Sequence, residues 1–274
     1  MTLRTILTHV QSGAGAPPHL DSAVHLAAQF GAHLIGLGAE AIPPLGFTDP
    51  YGFSQGDLIV ALRDSTVADV ARAEAAFRAA TSGVSHEWRS TLDMPARAMV
   101  RAARAADLIV AAAHQLETHD PYRVAPPGEL ALLAGRPVLV APPGGGPLSG
   151  EGVVVAWKDT RESRRALFDA LPFLQRAKRV TVLAVCGKDG AEVAGLETAD
   201  VVETLGRHGV KAEAKVSPGA EEAVRGRLID EARAIDADLI VCGAYGHSRL
   251  QEWVLGGVTR DLLLSADRFV LFSH

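Results

Sequence analysis

Residues 237–259 read "ADLIVCGAYGHSRLQEWVLGGVT". An apolar run, too short for a buried helix, opens into a segment with glycines at 243, 246, 256 and 257. A short continuous apolar run bounded by glycine reads as a buried strand. Glycine beyond it means close backbone approach or an anion met by exposed N–H groups. The pentapeptide "ADLIV" also occurs at 106–110, at an offset of 131. Carried forward, that offset lays "RPVLVA" (136–141) on the stretch from 267 onward. The starts repeat as well, with "ILTHV" (6–10) on "VVVAW" (153–157) and "AHLIGL" (32–37) on "RVTVLA" (179–184), both at an offset of 147. One unit is therefore laid down twice. The change of offset assigns 16 extra residues to the first half, and "IPPLGFTDPYGFSQGD" (42–57), rich in proline, glycine and aromatics, is the expected insertion.

Each half alternates apolar strand-like runs with amphipathic helical stripes, which implies a mostly parallel sheet with helices on both faces. Half two shows this best. Thr160 reads as the N-cap of a helix that Pro172 kinks, Gly209 closes the next helix, and "VKAEAKV" (210–216) reads as an edge strand. The expected fold class is α/β, two repeated five-stranded open sheets. Residues 1–143 form the first unit, 144–151 a Pro/Gly linker and 152–274 the second. The triple glycine of the linker lacks the Lys-Ser/Thr of a phosphate loop. Strands one and four of each half are the most apolar and should be central, so a ligand belongs where "VAWKDT" and "CGAYGHS" both emerge.

The chain has 274 residues and a formal net charge of −5, which argues against general nucleic-acid binding. No run approaches a membrane span, and no signal peptide is apparent, so a cytoplasmic protein is expected. Its two cysteines, Cys186 and Cys242, sit in strand-like runs and read as buried free thiols. His9, His114 and His119 fall at strand ends of half one, but no close-spaced ligand pair supports a metal there.

With the repeat and the glycines in place, Gly243, Gly246 and Gly256 resemble the nucleotide signature of the universal stress protein family, and the doubled unit resembles its tandem members. The resemblance implies an adenine nucleotide, ATP or AMP, held by half two, and leaves magnesium open. It implies phosphate contacts from Gly243, Gly246, Gly256, Gly257, Val258 and Thr259. Ala156, Trp157 and Lys158 would flank base and ribose, and Val185 the adenine. Two positions depart from the family: Gly257 replaces its usual Ser/Thr, and Lys158 its usual Asp. Half one carries Ala112, Gln115, Ala125 and Pro126 where half two has its glycines, and should bind no nucleotide.

Tyr245 and Trp157 either stack on adenine or pack in the core or rim, and His247 and Arg249 read by default as a solvated face, with a phosphate contact as the alternative. No nucleophile elbow, Walker lysine or nucleotidylyl-transferase signature is present, so a binding protein is expected rather than an enzyme. A scaffold without ligand and a weak ATP hydrolase are the alternatives. The last strands, "PVLVAP" and "RFVLFS", would leave unpaired edges. Their pairing within one chain, an intramolecular pseudo-dimer, is expected, with a homodimer left open. Phe47, Tyr51 and Phe53 of the insertion should fold back over half one or meet a partner.

Overall fold

The computed structural model describes residues 2–13, 16–44, 55–113, 120–220, 223–244, 262–263 and 267–274. The strands of half one are β1 (Thr5–His9), β2 (His33–Ala39), β3 (His86–Thr91), β4 (Leu108–Ala112) and β5 (Val138–Ala141). Those of half two are β6 (Gly152–Trp157), β7 (Arg179–Cys186), β8 (Glu213–Pro218), β9 (Leu239–Gly243) and β10 (Phe269–Ser273). They form one sheet in the order β3-β2-β1-β4-β5-β10-β9-β6-β7-β8. Every pairing is parallel except β5 with β10. That antiparallel pair sets Val140 opposite Val270, Leu139 opposite Leu271 and Val138 opposite Phe272, all fully buried. The last strands therefore pair within the chain, as their apolar edges required. The outer strands β3 and β8 remain as edges and carry Glu87, Arg89, Glu213 and Lys215, charges that discourage further pairing.

Helices cover both faces. One face packs α1 (Pro18–Phe30), α2 (Gln55–Ala80), α5 (Arg161–Asp169), α6 (Leu171–Leu174) and α7 (Ala191–Arg207). The other packs α3 (Pro95–Ala102), α4 (Pro127–Leu133) and α8 (Val224–Ala234), joined by the helical, buried Leu262 and Leu263. Thr160 caps α5 by accepting a hydrogen bond from the Ser163 amide. Pro172 stands in the first turn of α6, and the expected kink is a break at Ala170. Gly209 follows α7 with φ 77. The edge strand β8 begins three residues later than its sequence pattern suggested. Among the described residues, no helix is long and apolar enough to cross a membrane.

Strand pairing refines the repeat. Ile6 and Val153 are equivalent, facing Leu108 and Leu239 respectively. Ile6 also faces Leu34, and Val153 faces Val180, so the offset in the second strand is 146, not 147. Val138 likewise matches Val270, an offset of 132 in the last strand rather than 131. A one-residue slip exchanges the two faces of a strand, so buried sidedness fixes these registers. The paired residues Ile35 and Glu87 are 52 positions apart where Thr181 and Glu213 are 32 apart. Half one thus gains 20 residues between its second and third strands, more than the expected 16, because α2 is also longer than α7. Residues 55–57 belong to α2. The rest of the proposed insertion, 45–54 with Phe47, Tyr51 and Phe53, lies outside the described residues.

The connection between halves packs against both. Ser22 donates to the Gly146 carbonyl at 2.8 Å. Gly145 has φ 60, and a Cβ there would stand 2.3 Å from the Pro18 carbonyl oxygen, so only glycine fits. Phe30 of α1 meets Phe173 of α6 edge to face at 5.5 Å, and the Arg176 guanidinium lies 5.1 Å over the Phe30 ring.

The repeated "ADLIV" has a structural reason. Asp107 accepts from the Arg4 and Thr5 amides at 2.8 and 3.0 Å, just where β1 begins. Asp238 does the same for the Ser149 and Gly150 amides ahead of β6, at 2.7 and 3.1 Å. In each half the aspartate starting strand four anchors the entry to strand one. Asp238→Ala should lower stability by about 1–2 kcal/mol, because charge-assisted bonds to both amides are lost. Asp238→Asn should lose less. Urea unfolding of the three proteins checks the order.

Candidate functional site

In half two the strand order reverses between β6 and β9, and connections from these strands leave on opposite faces. This is the crevice where open α/β sheets hold ligands. Its walls follow from strand alternation. Ala156 and Val185 point to the α8 face, are half-buried and pack against the same core cluster as Val224 of α8. Together they offer a small apolar wall. Trp157 alternates to the other face and is buried in the α5–α7 core, its indole N–H without a hydrogen-bond partner. Its side chain therefore does not join Ala156 and Val185. Lys158 follows at the strand end and is exposed. Its neighbour Asp159 is held by Arg164, with Nη2 to Oδ1 at 2.6 Å.

Gly243 ends β9 on the α5 face. A Cβ there would stand 2.6 Å from the Ser163 amide nitrogen and 2.7 Å from the Glu162 carbonyl carbon. The backbone of the α5 first turn sits directly on this residue, so the glycine has a packing reason of its own. The sequence signalled close approach at Gly243 without showing that a helix makes it. Gly246, Gly256, Gly257, Val258 and Thr259 lie outside the described residues, as do Tyr245, His247 and Arg249.

The corresponding crevice of half one, between β1 and β4, differs throughout. Ala112 ends β4, and Pro126 with Pro127 opens α4. Neither proline has an N–H to offer an anion. Polar groups of the chain itself crowd the strand ends. Arg123 reaches Glu40 at 3.3 Å, Asp69 at 3.1 Å and the Ser12 hydroxyl at 2.8 Å. Glu40, at the end of β2, is only 3% exposed. Sequence reading missed this cluster, although a carboxylate closing the run "HLIGLGAE" was a visible signal. His9 donates through Nε2 to the Ala39 carbonyl at 2.9 Å, and His19 donates through Nε2 to the His9 carbonyl at 2.8 Å. His114 and His119 lie outside the described residues. Among the described residues no group of three or more His, Cys, Asp and Glu side chains could hold a metal ion. Cys186 is half-buried and Cys242 buried, both free, and burial pushes the Cys242 thiol up to about 12. An inert structural thiol follows.

With this geometry in place, comparison with known proteins gives a consistent picture. Residues 151–273 match the model of the universal stress protein family. A crystal structure of a universal stress protein from Archaeoglobus fulgidus DSM 4304 shares 14% identity, covers 98% of this chain and 97% of its own, and superposes with a TM-score of 0.68. A protein of unknown function from Pseudomonas aeruginosa PAO1 shares 16%, with 99% and 92% covered and a TM-score of 0.62. At such identities the likeness establishes the doubled fold. A universal stress protein solved in complex with cAMP covers 52% of this chain and 98% of its own, at 22% identity and a TM-score of 0.32. No curated protein sequence matches the chain significantly.

The two buried histidines make half one sensitive to acid. Burial lowers the His9 imidazole from 6.5 to about 4 and lowers His19 as well. Both are neutral when folded. Below pH 6.5 the unfolded chain takes up protons that the folded chain refuses. Stability is therefore full above pH 6.5 and falls as the pH drops through 6.5 toward 4, by about 3 kcal/mol from His9 alone. His9→Gln keeps an N–H donor and does not titrate. Urea unfolding from pH 7 to 4.5 should show a shallower acid limb for this variant.

Proposed function

We propose that this chain, a universal stress protein by its residues 151–273, is a stress-related regulator that binds one adenine nucleotide, ATP or AMP, in half two. It acts by binding rather than catalysis and works in the cytoplasm. The observation that carries this reading is the contrast between the two crevices. Half two presents Ala156, Val185 and Val224 as an apolar wall beside the switch point, with a glycine-rich segment leaving β9. Half one fills the same place with its own charged side chains and opens its helix on two prolines. A flat apolar wall suits a base, and glycine-rich backbone ahead of a helix suits phosphate.

Lys158 adds positive charge at the end of β6 where the family usually has a carboxylate. Asp159, the nearest carboxylate in sequence, is engaged by Arg164. In this reading charge neutralisation of the phosphates rests on lysine and backbone N–H groups, and Gly246, Gly256, Gly257, Val258 and Thr259 supply the phosphate contacts. Trp157 contributes through its backbone, since its ring is buried on the far face. The packing role of Gly243 specifically favours one alternative, a scaffold of the same fold that holds no nucleotide.

The test is a denatured extract of the purified protein, analysed for adenine nucleotides, followed by titration with ATP and AMP. One equivalent per chain is expected. Gly246→Val should abolish binding, by placing a branched side chain against the phosphates, while leaving the unfolding midpoint near wild type. Two equal sites per chain would refute the asymmetry. Neither retention nor binding would leave the scaffold reading. Turnover lost on a loop substitution would make the chain an enzyme.

A further inference from the structure

The cluster in half one does more than fill space. Arg123 bridges three groups from three separate elements: Ser12 after β1, Glu40 at the end of β2 and Asp69 in α2. It belongs to a tight turn over 120–124. Asp120 accepts from the Arg123 and Val124 amides through its backbone carbonyl, at 3.0 and 2.9 Å, and from the Tyr122 amide through its side chain at 2.9 Å. The turn is then fastened to the end of β2 by a backbone bond, Ala41 N–H to the Tyr122 carbonyl at 2.8 Å.

The charges explain why the turn lies there. The Glu40 carboxylate is 3% exposed, and a buried charge needs a partner. Asp69 is 14% exposed and is shared between Arg123 and Arg72. A guanidinium fork can satisfy Glu40, Asp69 and the Ser12 hydroxyl at once, which a single ammonium cannot. Arg123 itself is 43% exposed, so it enters this receptor from the solvent side. The described residues of half two do not repeat the receptor. Cys186 stands in register with Glu40, and the counterpart of Ser12 is Asp159, which pairs with Arg164.

We propose that Glu40, Asp69 and Ser12 form a guanidinium receptor occupied by the chain's own Arg123, an internal ligand that holds the 120–124 turn shut over half one. Closure of half one is then independent of any small molecule, and only half two is left to respond to one. This rests on the half-one geometry alone and stands whether or not half two binds nucleotide.

The experiment is hydrogen exchange at the Ala41 amide in the full-length protein, with β1, β4, β6 and β9 amides as internal references. Arg123→Ala should speed exchange at Ala41 about tenfold or more while the references stay protected. Millimolar methylguanidinium should restore protection in this variant, and potassium chloride at the same ionic strength should not. The double variant Glu40→Gln/Arg123→Ala strands no buried charge and serves if Arg123→Ala does not fold. In it, Ala41 should exchange fast with β1 and β4 still protected, and methylguanidinium should not rescue. Unchanged exchange at Ala41 in these variants would overturn the proposal. So would equal rescue by potassium, or a rise shared equally by β1 and β4.

Discussion

The antiparallel contact between β5 and β10 is the constraint on which the molecule depends. Each half ends in a short apolar strand at the open edge of its own five strands. Left alone, each would expose a row of unpaired amides and carbonyls beside fully apolar side chains. Pairing the two edges satisfies the backbone groups and buries Leu139, Leu271 and Phe272 completely, at about 1.5–3 kcal/mol for each large side chain. Because the contact is antiparallel, it relates the two halves by an approximate two-fold axis. Helices α1 and α5–α6 then meet on one face of the seam, where Phe30, Phe173 and Arg176 interlock. The connection between the halves is held in place by α1 and by Asp238.

That arrangement frees the two crevices to diverge. Both open at strand ends beside the point where the order reverses, and neither is needed to hold the sheet together. Half one has used this freedom to install buried polar groups: Glu40 and Asp69 with Arg123, and the two buried histidines His9 and His19. Such groups are expensive to bury unless mutually satisfied, so they fix half one in one conformation. At the equivalent strand ends of half two, Ala156 and Val185 are half-buried and apolar, and Lys158 and Asp159 are exposed.

How much of this was legible in the sequence differs element by element. The repeated "ADLIV", the capping Thr160 and the pairing of the last strands agree with the structure, while the kink expected at Pro172 is a break at Ala170. The registers of β2 and β5 against their counterparts were off by one residue. Sequence similarity alone tolerates such a slip, while a buried face does not. Strand registers give half one 20 more residues than half two between its second and third strands, more than the offsets implied, because α2 is longer than α7 and a shorter β3–β4 connection masks part of the difference.

The doubled α/β unit and its central strands were legible in the chain alone, since apolar periodicity follows from neighbouring residues. What fills the half-one crevice emerged only from the folded chain. Arg123, Glu40, Asp69 and Ser12 are far apart in the chain, and nothing local marks them as partners. The burial of the Trp157 ring in the α5–α7 core and the α5 backbone resting on Gly243 are likewise absent from the local sequence. Contacts between distant residues depend on where the sheet puts them, and that position exists only once the chain has folded.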